Sequence, residues 1–174
     1  MNWQRVLDIH AQAASTLAET AAHIPTERWL TPRAEGKWSA GEVLEHLNMT
    51  YDVLTRELEG GKGMAVVTKL WQRMLLRLTV VPKILRGGFF PNGARAPREI
   101  RPANASPDRD AAIASFRDRS ERFHHAAVAA QAKRGVKLSH AYFGRSGVPS
   151  SMLLAARHVE HHERQLRAAM NDER

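Results

Sequence analysis

The segment WSAGEVLEHL, Trp38 to Leu47, decides how the chain is read. Ser39 can cap a helix, and Glu42 three residues later completes a capping box; Trp38, just outside, can staple against Val43. Leu44, Leu47, Tyr51, Leu54 and Leu58 then recur at spacings of three and four, an apolar stripe that predicts a helix to about Glu59. The glycines of EGGKG end it as a turn and lack the spacing of a phosphate loop. His46 lies at the margin of the stripe, in line with Glu42, Val53 and Glu57. That is the position of a side chain facing a cavity between helices.

The same period extends outward in both directions. A first helix is expected from about Asn2 to Ile24, with Val6, Ile9, Ala13, Leu17 and Ala21 inward and Pro25 as its stop. A third is expected from about Met64 to Leu85. There Leu70, Met74, Leu78 and Val81 form the apolar side, and Lys69, Arg73 and Arg77 a solvated basic side. An anionic partner or a membrane surface is the alternative use of that basic side. Ser106 is the expected cap of a fourth helix, with Pro107 in its first turn, running to about Lys133 and stopping at Gly135. The last helix is expected from about Ser150 to Asn171. VKLSHAYFGRSGVP, before it, reads as a connection. The stretch from Gly87 to Ser106 is rich in Pro, Gly and Asn and too long for an ordinary bundle connection. It reads as an irregular excursion across the mouth of a site, with Phe89 and Phe90 anchoring one end. The expected fold is all-α: an antiparallel four-helix bundle with an additional helix and a long irregular loop, one domain over residues 1–174.

Composition bounds the chemistry. The 174 residues are 43% hydrophobic and 25% charged, as in soluble globular proteins, with a formal charge of +8. No cysteine is present, which excludes disulfides, thiolate metal sites and cysteine nucleophiles. No stretch approaches the roughly 20 apolar residues that span a bilayer, and the N-terminus lacks a secretory pattern, so a cytoplasmic location is expected. The basic residues are scattered, and no aromatic-interleaved groove or nucleic-acid motif accompanies them. Nucleic acid is therefore not the expected partner.

RHVEHHERQL, Arg157 to Leu166, holds three of the nine histidines. Positions four apart on a helix lie nearly above one another, so His158 and His162 share the side of Ala155, Val159, Leu166 and Ala169. Arg157, Glu160, Arg164 and Arg167 are expected on the opposite side. His161 falls at the edge of the apolar face. Two inward imidazoles on adjacent turns leave buried polar atoms that one divalent cation would satisfy, and His46 is the best third ligand. The alternative is a set of satisfied core histidines. Valine at 159, where zinc proteases carry a catalytic glutamate between the two histidines, gives metalloprotease activity no support.

Two segments together, KWSAGEVLEHL and HAYFG…RHVEHHERQL, resemble the DinB-like superfamily of metal-binding four-helix bundles. That group includes bacterial thiol-dependent S-transferases and mycothiol-dependent isomerases. The resemblance implies His46, His158 and His162 as metal ligands. It matches Gln165 to the family motif, as a neighbour of the ligands or a packing residue, and His140 to the lead-in histidine. It also implies a homodimer. A divalent metal such as zinc, nickel or iron would suit the ligands. The expected function is a metal-dependent enzyme, a hydrolase or a thiol S-transferase acting on a small molecule or thiol. Glu42 or Glu57 would be its general base, and Arg95, Arg98 and Arg101 of the long loop could hold an anionic substrate. The alternatives are a non-catalytic metal-binding or stress-response module, or a basic-surface interaction protein.

Overall fold

A computed structural model describes residues 2–87, 90 and 95–171. Helices dominate: α1 (Trp3–Ala22), α2 (Ala40–Leu58), α3 (Leu70–Thr79), α4 (Val81–Leu85), α5 (Arg109–Gln131) and α6 (Val148–Asn171). Two short strands, β1 (Lys137–His140) and β2 (Gly144–Gly147), pair antiparallel.

The long helices pack where their sequences present small or branched apolar side chains. α1 lies on α6 and α5, and α2 on α5 and α6. Ala13, Ala14, Ala18 and Ala21 of α1 and Ala155, Ala156 and Val159 of α6 are buried, so these backbones approach closely. Aromatics fill the other side: Tyr51 of α2 packs on Phe116 and Phe123 of α5 with ring centroids 5.7 and 5.4 Å apart. Burying a side chain of this size contributes about 1.5–3 kcal/mol. Thr20 of α1 donates to Glu163 of α6 at 2.9 Å, and Glu163 also pairs with Arg167, which ties the two helices by a buried polar clasp.

Local chemistry sets the helix ends. Asn2 caps α1, accepting from the Arg5 amide at 3.1 Å. The capping box of α2 is formed: the Ser39 amide donates to Glu42 Oε2 at 2.7 Å, and the Glu42 amide to Ser39 Oγ at 3.3 Å. Asp108, not Ser106, caps α5; its carboxylate accepts from the Ala111 amide at 2.9 Å, an anion at the positive end of the helix. Fully buried Trp29 donates its indole N–H to the Ser106 carbonyl at 2.8 Å, joining the loop after α1 to the one before α5.

Two expectations need correction. The connection before α6 contains the β1–β2 hairpin, with a three-residue loop and Gly144 at φ 71°. Glycine is required there twice over, because a side chain at 144 would also meet the stem of Arg73. The expected third helix is two helices, with residues 64–69 non-helical and Pro82 in the first turn of α4. Its faces differ in part: Lys69 and Arg77 are exposed and Val81 packs inward as expected, but the rest of the apolar side is displaced. Leu76, Val80, Val81 and Ile84 turn inward to a small second core with Phe143 and Leu154, while Leu70, Met74 and Leu78 are exposed. Arg73 is half-buried, with its Nη2 3.4 Å from the Thr68 carbonyl. Phe89 lies outside the described residues.

Candidate metal centre

His46 sits in the second turn of α2, two residues beyond Leu44 and so at the edge of its buried stripe. His158 and His162 lie one turn apart on α6. The fold turns all three rings to one point. His158 Nε2 is 3.2 Å from His46 Nε2 and 3.0 Å from His162 Nε2. One ligand atom from each residue lies within 4.8 Å of the others. His46 and His162 are buried, and His158 is half-buried at the wall of a cavity of about 1090 Å³.

The far nitrogens fix the protons. His46 Nδ1 lies 2.6 Å from the Ile100 carbonyl oxygen, which only accepts, so the ring proton is on Nδ1 and Nε2 is a bare acceptor. His162 Nδ1 meets Gln165 Oε1 at 2.8 Å, while the Gln165 amide nitrogen meets His161 Nε2 at 2.9 Å, which gives His162 the same tautomer. His158 Nε2 can donate a proton to one neighbour only, so at least one acceptor in the trio stays unpartnered. An unpartnered buried acceptor costs about 1–3 kcal/mol. A divalent cation takes all three lone pairs at once. Metal–nitrogen bonds of 2.0–2.1 Å place adjacent nitrogens about 3.3 Å apart in tetrahedral and about 2.9 Å apart in octahedral geometry. The two separations from His158, 3.0 and 3.2 Å, lie between these values, and the remaining His46–His162 pair is within 4.8 Å.

Electrostatics agree with neutral donors. Burial pushes His46 down to about 4, against the raising effect of the Ile100 hydrogen bond and with a smaller lowering by His161. Burial, then the neighbouring histidines, holds His158 and His162 well below the usual imidazole value. All three are therefore uncharged at neutral pH, the form that binds metal.

The other candidates are placed differently. His140, half-buried, lines the cavity, and burial lowers it to about 4; its Nδ1 accepts from the Tyr142 amide at 3.2 Å, which leaves its ring proton on Nε2. Neither Glu42 nor Glu57 lines the cavity. Glu42 closes the α2 capping box. Glu57 accepts from the Ser139 hydroxyl at 2.7 Å and the Ser139 amide at 2.8 Å, fastening the hairpin to α2. Arg95 and Arg101 line the cavity and Arg98 does not. Arg164, expected on the outer side of α6, lines it too, with Arg33 and Lys37. Among the described lining residues there is no Asp or Glu.

Sequence reasoning missed three contributors. Trp38 covers the trio, with its ring centroid 4.8 Å from His46 and 6.3 Å from His162, a role its place beside the capping box conceals. The Ile100 carbonyl is a backbone group and has no side-chain signature. Arg164 adjoins the ligand turn, and only the wheel's rough division into faces hid it. Phe90, expected as an anchor, packs its ring 5.4 Å from that of His158.

A helical fold with three convergent neutral imidazoles defines a helical protein positioned to bind one metal ion. The chain belongs to the DinB superfamily, whose family profile matches residues 9–166. Comparisons with curated proteins and with solved structures give no match.

Proposed function

We propose that this protein is a metal-dependent enzyme of the thiol S-transferase or hydrolase class, built on an antiparallel four-helix bundle of α1, α2, α5 and α6. His46, His158 and His162 hold one divalent cation, of zinc, nickel or iron. The observation that carries the reading is the meeting of three Nε2 atoms, two of them fixed as acceptors by Ile100 and Gln165. A divalent ion held by three neutral nitrogens keeps positions for water or a thiol and lowers the pKa of either.

The residues around it favour an anionic small molecule. Lys37, Arg95 and Arg101 line the cavity beside Arg33 and Arg164, and no Asp or Glu is among its described lining residues. Such a wall draws in acidic metabolites and holds their charge away from the reacting atoms. Trp38 and Phe90 cover the ligands and exclude bulk water from that side. His140 lines the cavity with its ring proton on Nε2. Thiol transfer is the better supported class. A thiol needs only to lose its proton, whereas hydrolysis benefits from a carboxylate base, and Glu42 is engaged by the Ser39 amide and Glu57 by the Ser139 amide and hydroxyl.

The test is turnover by metal-loaded, untagged protein. A panel of anionic low-molecular-weight thiols with an aryl chloride electrophile is compared with aryl ester hydrolysis. Activity that follows the loaded ion and vanishes in His158→Ala supports the reading. Bound metal with no turnover of either kind would leave a non-catalytic metal-binding module.

A further inference from the structure

Nine large apolar side chains are exposed among the described residues, and seven of them fall between Val66 and Leu78. On α3 they are Leu70, Trp71, Met74, Leu75 and Leu78, each more than half exposed. At about 100° per residue these five share one arc of about 140°. The opposite side of the helix is occupied: Leu76 faces the second core and Arg73 lies on Gly144. A ten-residue helix thus turns a continuous aromatic and aliphatic stripe to solvent. Single exposed leucines are ordinary, but a contiguous patch marks a docking surface.

Charge identifies what covers it. From residue 60 to residue 98 the chain has no Asp or Glu and eight Lys or Arg. Lys69, Arg77, Lys83, Arg86 and, on the hairpin, Arg145 are all exposed. Arg77 is held at the border of the stripe by donating to the Arg145 carbonyl at 2.9 Å. A second copy fits poorly, because a twofold contact sets this basic face against an identical basic face. A bilayer rich in anionic lipid takes both features: phosphates receive the cations and acyl chains receive the stripe. We propose that α3 is an in-plane anchor that docks this protein on an anionic membrane surface. Trp71 then sits at headgroup depth, where indole is favoured. The inner side of the same segment gives Leu76 and Val80 to the cavity wall, so docking brings the cavity beside the lipid.

Vesicle sedimentation of the full chain tests this. Wild type binds phosphatidylglycerol-rich vesicles, binds pure phosphatidylcholine weakly, and is released by salt; free glycerol phosphate does not compete. Leu75→Gln/Leu78→Gln lowers partitioning on the order of 100-fold by removing buried apolar surface. Lys69→Gln/Lys83→Gln lowers it roughly 30-fold, with unfolding temperature and circular dichroism unchanged in both. Failure of wild type to bind anionic vesicles overturns the proposal, as does unchanged binding by the leucine variant. A concentration-dependent dimer that the leucine variant dissolves would assign the face to a second copy instead.

Discussion

Replacing Glu57 by Ala separates a fastening role from a catalytic one. Its carboxylate accepts two hydrogen bonds from Ser139, at 2.7 and 2.8 Å, and so joins α2 to the hairpin that leads into α6. Each bond to a charged acceptor contributes about 1.5–3 kcal/mol when shielded, and partial exposure of the pair reduces the sum to roughly 2–4 kcal/mol. In a chain of this length that lowers the unfolding temperature by roughly 5–15 °C. Glu57→Gln keeps one acceptor and should lose about half as much. Gly63 supplies an independent check, because a Cβ at that position would sit well inside contact distance of the Glu57 carboxylate. Gly63→Ala should therefore push Glu57 off Ser139 and reproduce the loss. The double variant should lose much less than the two single losses added together. Differential scanning fluorimetry and urea unfolding read these values. An unfolding temperature for Glu57→Gln within about 1 °C of wild type, a change below about 0.5 kcal/mol, with turnover reduced about 100-fold or more, would refute the fastening role and restore Glu57 as a base.

Gly41→Ala should destabilise α2 although alanine is the better helix former by about 1 kcal/mol. A Cβ there meets Trp29 Nε1 and Ala105 Cβ at 3.0 Å, and chemical denaturation reads the loss. Gln165→Leu should leave the fold intact and weaken metal binding about 10–100-fold, because His162 loses the acceptor that fixes its tautomer; titration calorimetry measures it. Acid should destabilise the protein through His10, which burial and then His124 lower to about 3. Its folded pKa lies below the unfolded value, so its contribution is complete above about pH 6.5 and is lost as pH falls toward 3, with a slope of about 1.4 kcal/mol per pH unit. His10→Phe should remove that increment from the slope of stability against pH between about 4 and 6, inside the window between the folded and unfolded values, measured by denaturant unfolding at each pH.

The parts legible in the sequence are those whose signal is periodic and local. Ser39 and Glu42 announce the start of α2 through a three-residue spacing that both bonds then use. His158 and His162 share a face because four residues make about one turn. Other features follow from competition that spacing does not resolve. On α3 two apolar stripes coexist, and tertiary packing chose Leu76 over Leu70 and Leu78 for burial. The hairpin's strands are four residues each, too short for alternation to show, and KLSH holds one apolar residue. The Ile100 carbonyl reaches His46 across 54 positions of chain, a contact no side-chain pattern encodes. No described helix is long and apolar enough to cross a membrane, in agreement with the hydropathy of the sequence.

The claim on which the chemistry rests is the common point of three imidazole nitrogens, and X-ray absorption at the edge of the bound metal reads it most directly. Untagged protein should carry one ion per chain with three imidazole nitrogens at about 2.0–2.1 Å. His46→Ala and His158→Ala should each lose it. A spectrum showing fewer than three imidazoles, or a metal content in either variant unchanged from wild type, would contradict the account.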